Sequence, residues 1–153
     1  MEIVPVTAPT DEVRQLVSEL DAELGTLYRP EQRHGLALEA IFAPHIRFFI
    51  VLRDSAPFGC GGVALFPDFA EVKRMYVRPE ARGTGVAQAL MTRLIDEARA
   101  VGLNMLRLET GTQSFAAIAF YRKSGFKERG AFEPYATLPP DKIFASLFME
   151  RPL

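Results

Sequence analysis

Apolar residues along this chain recur with two periods, and the switches between them mark out its elements. Residues 3–6 form a short β-rich run and predict a strand. Val13, Leu16, Val17, Leu20 and Leu24 then recur at helical spacing, with Thr10 placed as an N-cap and Gly25 as the closing residue. Pro30 opens a second helical pattern carrying Leu36, Leu38, Ile41 and Phe42, interrupted by Gly35. Residues 47–53 and 58–66 are extended apolar runs joined by the turn residues Asp54-Ser55-Ala56-Pro57. Three glycines in the second run predict a bulge or a close neighbour. Pro67-Asp68 turns the chain into a further strand over residues 71–77.

Val86, Leu90, Leu94 and Ala98 form one helical stripe within residues 85–100, widened by Ala87, Met91 and Ile95. Gly102 suits a left-handed helix end. A strand over 103–108 and a short helix over 114–123 follow, the helix closed by Gly125. Residues 126–132 and 143–149 read as the last strands, around a proline-rich loop at 134–141. The order β α α β β β α β α β β predicts one mixed α/β domain over residues 1–153. Antiparallel hairpins come first, then a parallel crossover through the helix that follows Gly85.

Composition narrows the function classes. The chain has 153 residues, 48% of them hydrophobic and 24% charged, which suits a folded domain with a substantial core. A net charge of −1 leaves no basic excess for a nucleic acid backbone. No apolar run approaches the roughly 20 residues of a membrane helix. The start Met1-Glu2-Ile3-Val4-Pro5 lacks the features of a signal peptide, and Cys60 is the sole cysteine, so a cytoplasmic setting is expected. Cys60 lies among Phe58-Gly59-Cys60-Gly61-Gly62-Val63 and reads as a small core residue of a strand. The two histidines, His34 and His45, have no metal-site spacing.

The strongest chemical signal is Arg78-Pro79-Glu80-Ala81-Arg82-Gly83-Thr84-Gly85-Val86-Ala87-Gln88-Ala89-Leu90, where a strand turns on glycines into a helix. Unpaired amides and the helix dipole converge there on one spot, which makes an anion cradle. Gly83 and Gly85 let the backbone approach a bulky phosphate, and Arg82 adds a cation. A dinucleotide fingerprint would need glycine or alanine where Gln88 stands, and a P-loop would need Gly-Lys-Ser or Gly-Lys-Thr after the glycines.

The order Arg-x-x-Gly-x-Ala resembles the pyrophosphate loop of the GNAT family of N-acetyltransferases. Ala116-Ala117-Ile118-Ala119-Phe120-Tyr121-Arg122-Lys123-Ser124-Gly125-Phe126 resembles that family's Ala-x-x-Phe-Tyr-x-x-x-Gly-Phe segment, and the element order is similar over nearly the whole chain. The resemblance implies the acyl-CoA N-acyltransferase fold, with a mixed sheet of about six to seven strands and about four helices. It implies acetyl-CoA as co-substrate, with no metal. The stretch Arg82, Gly83, Thr84, Gly85, Val86 and Ala87 would hold the pyrophosphate. Met75 and Val77 would pair with the pantetheine arm, and an amide near Met75 or Tyr76 would polarise the thioester carbonyl. Ser114 stands where many members carry an asparagine that touches the cofactor.

By the same resemblance, Tyr121 is the general acid for the departing thiolate. The attacking amine must be neutral, so a base is useful. Glu71 occupies the position of the glutamate in some histone-acetylating members. Glu109, at the carboxyl end of a parallel strand, is the second candidate, as base or substrate anchor. Tyr28 and His34, in the region that walls the acceptor site in this fold, and Tyr135, in the late loop, are acceptor-site candidates. Lys73 and Arg74 are a candidate phosphate patch, although an alternating strand would turn one of them to solvent. The expected activity is acetyl transfer to a primary amine of a small molecule by direct attack in a ternary complex. Acetylation of a protein lysine or N-terminus, and a non-catalytic acyl-CoA-binding domain, are the alternatives. The apolar last strand is a candidate homodimer surface.

Overall fold

The computed structural model describes all 153 residues. Its organising element is a seven-stranded sheet in the order β1-β2-β3-β4-β5-β7-β6. These are β1 (Glu2–Pro5), β2 (Ile46–Arg53), β3 (Ala56–Leu65), β4 (Ala70–Val77), β5 (Met105–Gly111), β6 (Lys127–Arg129) and β7 (Ser146–Pro152). Every pairing is antiparallel except that of β4 with β5. The helix α2 (Val86–Ala100) makes the crossover between those two strands, as a parallel connection requires.

Helices cover both faces. The helix α1 (Asp11–Gly25) starts where the Thr10 hydroxyl accepts from the Val13 amide at 3.3 Å, with Asp11 and Glu12 in its first turn. It buries Val13, Leu16, Val17 and Leu20 against Phe48, Ile50, Cys60 and Tyr76 on one face of the sheet. On the other face, α2 packs Val86, Leu90, Met91, Leu94, Ile95 and Ala98 against Phe49, Val51, Val63 and Val72. Tyr121 from α3 (Phe115–Lys123) joins that core. A third cluster of Phe132, Tyr135 and Phe148 closes the far end.

Three expectations are corrected. Residues 30–42 form no second α-helix but two short 3₁₀ turns, Pro30–Gln32 and Leu38–Phe42, with Arg33 extended between them. Gly35, a weak helix former, lies there against the Arg74 guanidinium, where a Cβ would collide. The first of the last strands shortens to Lys127–Arg129, and the second begins at Ser146, because Pro140 opens a one-turn helix, α4 (Pro140–Ile143), inside the expected loop. The second of these strands, β7, lies between β5 and β6 with both edges paired. The first hairpin is tighter than expected: Asp54 and Ser55, at φ 50 and 65, make a two-residue turn of the type that matches strand twist.

Candidate active site

Two irregularities in β4 create the site. Its parallel pairing with β5 is confined to Ala70 with Leu106 and Glu71 with Arg107. Beyond Glu71 the strands separate and a cavity of about 860 Å³ opens, floored by Val72, Met75, Val77 and Leu108. Met75, Tyr76 and Val77 all line it, as the resemblance implies. On the opposite edge, Cys60 pairs with Tyr76 but Gly62 pairs with Lys73, so Arg74 and Met75 together face the single residue Gly61. This is a β-bulge, with Arg74 at φ 52.

The bulge breaks the in–out alternation. Neither Lys73 nor Arg74 turns to solvent: Lys73 Nζ lies 2.8 Å from Glu71 Oε2, and Arg74 Nη2 lies 2.6 Å from Asp21 Oδ1. The expectation that one of the pair would be solvated fails because a two-against-one bulge restores the same face to successive residues.

The glycine loop meets the cavity with bare main chain. Gly83 and Gly85 have φ of 75 and 90, and a Cβ at either would meet nothing within 4 Å. Gly85 caps α2 without any side-chain hydrogen bond, and no acidic residue sits in the first turn. The amides at this helix start are therefore left for a ligand. Two ion pairs tie the loop to α1: Arg78 Nη2 to Glu19 Oε2 at 2.7 Å and Arg82 Nη2 to Glu23 Oε1 at 2.8 Å. Arg82 also donates to the Val77 carbonyl at 2.9 Å, so it clamps the loop as well as lining the cavity. Thr84 and Val86 are not in the lining. Thr84 donates to the Ala81 carbonyl and accepts from Arg53, while Val86 is buried in the core beneath α2. What these two offer the cradle is main-chain amide. Ala87 and Gln88 complete this end.

Tyr121 lines the cavity and is buried, which pushes its phenol up to about 12; the nearby Glu109 carboxylate adds to the shift. Glu109 lines the same space. Burial holds its carboxyl above the usual carboxylate range, against the Ser146 hydroxyl that donates to Oε2 at 2.6 Å and the charges of His34 and Lys73. Ser114 Oγ and Tyr28 Oη are hydrogen-bonded at 2.9 Å, and Tyr28 Oη also accepts from the Gln113 amide at 2.9 Å. Tyr28 lies flat over Gly111, where any Cβ would overlap its ring. His34 is at the rim, its Nε2 donating to the Lys142 carbonyl at 2.6 Å.

Glu71 and Tyr135 belong to a different layer. Neither lines the cavity. Glu71 is 1% exposed, and its Oε2 receives both the Tyr135 hydroxyl at 2.6 Å and Lys73 at 2.8 Å. Tyr135 stacks edge-on with Phe132 and His34, and burial together with Glu71 drives its hydroxyl far above the ordinary phenol range. Of the two carboxylates singled out from the sequence, Glu109 is the one that faces the cavity. Cys60 is fully buried, and burial raises its thiol to about 12. Arg33, Gln88 and Lys123 line the cavity without having been assigned to it from the sequence, and Arg74, half of the candidate phosphate patch, lines it too. Only Gln88, one residue beyond the glycine loop on the new helix, had a local signal that could have revealed it.

The chain matches the model of the Acetyltransferase (GNAT) family over residues 13–126. It is 48% identical to the IAA acetyltransferase of Azospirillum brasilense, over 94% of this chain and 92% of that relative. A solved structure from Klebsiella pneumoniae, provisionally assigned as an acyl-CoA N-acyltransferase, superposes with a TM-score of 0.78 at 34% identity, covering 99% of this chain and 97% of its own. The PaiA N-acetyltransferase of Thermoplasma acidophilum, solved in complex with coenzyme A, has a TM-score of 0.71 at 17% identity with full coverage of both chains, a likeness of fold.

Proposed function

Because the chain belongs to the acetyltransferase (GNAT) family, we propose that it moves the acetyl group of acetyl-CoA to a primary amine of a small molecule by direct attack in a ternary complex. One observation carries this reading: the uncapped amides of the Gly83 to Gln88 stretch open into the same cavity as the Tyr121 phenol and the Glu109 carboxyl. The donor supplies the activated acyl carbon and a thiol leaving group. The coenzyme A bound by the Thermoplasma structure supports this choice of donor.

In this reading the loop amides and the α2 dipole hold the pyrophosphate, and the parted edges of β4 and β5 receive the pantetheine arm. Main-chain N–H groups near Met75 and Tyr76, beside the Arg74–Met75 bulge, orient and polarise the acyl carbonyl. Glu109 takes the proton of the attacking amine, directly or through one water, and burial raises its affinity for protons above that of an ordinary carboxylate, which strengthens it as a base. Tyr121, a phenol at every physiological pH, holds the proton that the departing thiolate needs. The glutamate in β4, Glu71, instead steadies the wall through Lys73 and Tyr135. The inert, buried Cys60 leaves no thiol to carry an acetyl group, which supports direct attack.

Walls from α1 and the 3₁₀ turns surround the acceptor end, which favours a small acceptor over a protein segment. Calorimetric titration with coenzyme A tests the donor half: no binding would overturn the reading. Initial-rate lines that intersect when both substrates are varied are expected, and parallel lines would remove the ternary mechanism.

A further inference from the structure

Arg74 is poorly satisfied by the protein itself. It sits at a left-handed φ of 52, a backbone conformation that costs a side-chain-bearing residue free energy. Its side chain is 5% exposed yet lines the cavity. One ion pair, to Asp21 at 2.6 Å, is its only carboxylate contact, and its Nε is buried with no hydrogen-bond partner. Room for the guanidinium exists because residue 35 is glycine. A buried, half-paired guanidinium in a strained position needs a reason.

A second cation stands beside it. Arg33 lines the same wall and donates to the Asp21 carbonyl at 3.2 Å, and no carboxylate pairs with it. Two guanidinium groups thus converge on Asp21, which carries a single negative charge. Of the acids on the cavity wall, Glu23 is paired with Arg82, and burial keeps Glu109 reluctant to ionise.

We propose that the acceptor amine carries a carboxylate, as an amino acid or a close analogue does, and that Arg74, assisted by Arg33, anchors that carboxylate while Glu109 receives the amine. This rests on the acetyl-transfer reading above. A planar guanidinium presents parallel N–H groups that fit a carboxylate, and such charge-assisted pairs are the strong ones in a site shielded from water. The wall then discriminates by charge at one end and by proton affinity at the other, so an amine lacking the acid would leave Arg74 with Asp21 as its only carboxylate partner.

The test uses the full chain, with coenzyme A binding measured first by calorimetry. Thiol release from acetyl-CoA is then compared for matched pairs, each an amino acid and the amine left by its decarboxylation. Amino acids should exceed their amines in kcat/KM by about tenfold to a hundredfold. In Arg74→Gln that preference should fall by about tenfold or more through KM, with kcat less affected. Should the loss of a buried ion pair unfold Arg74→Gln, Arg33→Gln should show the same collapse in smaller degree. Coenzyme A binding with an equal response to both members of every pair overturns this inference alone. Absence of coenzyme A binding overturns the acetyl-transfer reading and this inference with it.

Discussion

The two ends of the cavity recognise by different means. At the α2 end the groups on offer are main-chain amides from one contiguous stretch, Gly83 to Gln88, and the nearby side chains mostly hold the loop in place. At the α1 end the groups are side chains from separate segments: Tyr28, Arg33, Arg74, Glu109 and Ser114. A main-chain site needs only a local conformation. A side-chain site needs the whole tertiary fold, which also decides how each group is protonated and paired.

The sharpest test of that contrast removes a proton-handling side chain. Tyr121→Phe should lower kcat by about 10²- to 10⁴-fold while calorimetry shows coenzyme A binding nearly unchanged. Equal losses of binding and turnover would mean that the two ends are not separable. Glu109→Gln should cost turnover on a similar scale and also alter the pH profile. The base must be ionised, and burial raises its carboxyl above the ordinary value of 4.5, so activity should climb with pH through a midpoint above that value. That limb should vanish in the variant, read with an acceptor amine of low basicity. For stability the sign is opposite. A carboxyl that keeps its proton longer when folded contributes stability that is complete below its unfolded pKa and lost as pH rises through the folded one. Urea denaturation of Glu109→Gln should therefore show less loss of stability between acid and neutral pH than the parent does.

The layer behind the wall should respond in stability. Lys73→Met leaves Glu71 charged and 1% exposed with one hydroxyl donor, and should cost about 3–5 kcal/mol in urea denaturation. Pairing it with Glu71→Gln should recover much of that. No recovery would show that Lys73 acts by packing, for example through its position over the Tyr135 ring.

Gly85→Val isolates the main-chain end. Open space surrounds the position, so the penalty comes from φ 90 alone and should be about 1–3 kcal/mol, seen as weaker coenzyme A binding, reduced stability, or both. The smallest effect belongs to Ser114→Ala. It removes one hydrogen bond to Tyr28, worth about 1 kcal/mol, and should raise the acceptor KM by less than about tenfold.

The glycine loop was readable because its information is local. Gly83 and Gly85 specify a turn, the apolar stripe from Val86 specifies a helix, and together they specify uncapped amides. The Phe120–Tyr121 block was readable for the same reason. The helix expected over residues 30–42 was misread because its spacing satisfied a helical period, while the contact that Gly35 makes there, with the Arg74 guanidinium, comes from far along the chain. In sequence, Glu71 at the start of one strand was the first candidate base and Glu109 at the carboxyl end of the next the second. Only the separation of β4 from β5, and the aromatic cluster around Tyr135, put one into the cavity and the other behind its wall.

By itself, then, the chain's order of residues determined the mixed sheet, its crossover and the glycine turn into the uncapped start of α2, because each follows from periodicity and backbone freedom over short stretches. Tertiary structure alone decided which carboxylate meets the cavity and that Arg74 turns inward at a bulge. Those outcomes depend on burial and on partners tens of residues away, and the free energy of a charged or polar side chain is governed by such surroundings more than by its neighbours in sequence.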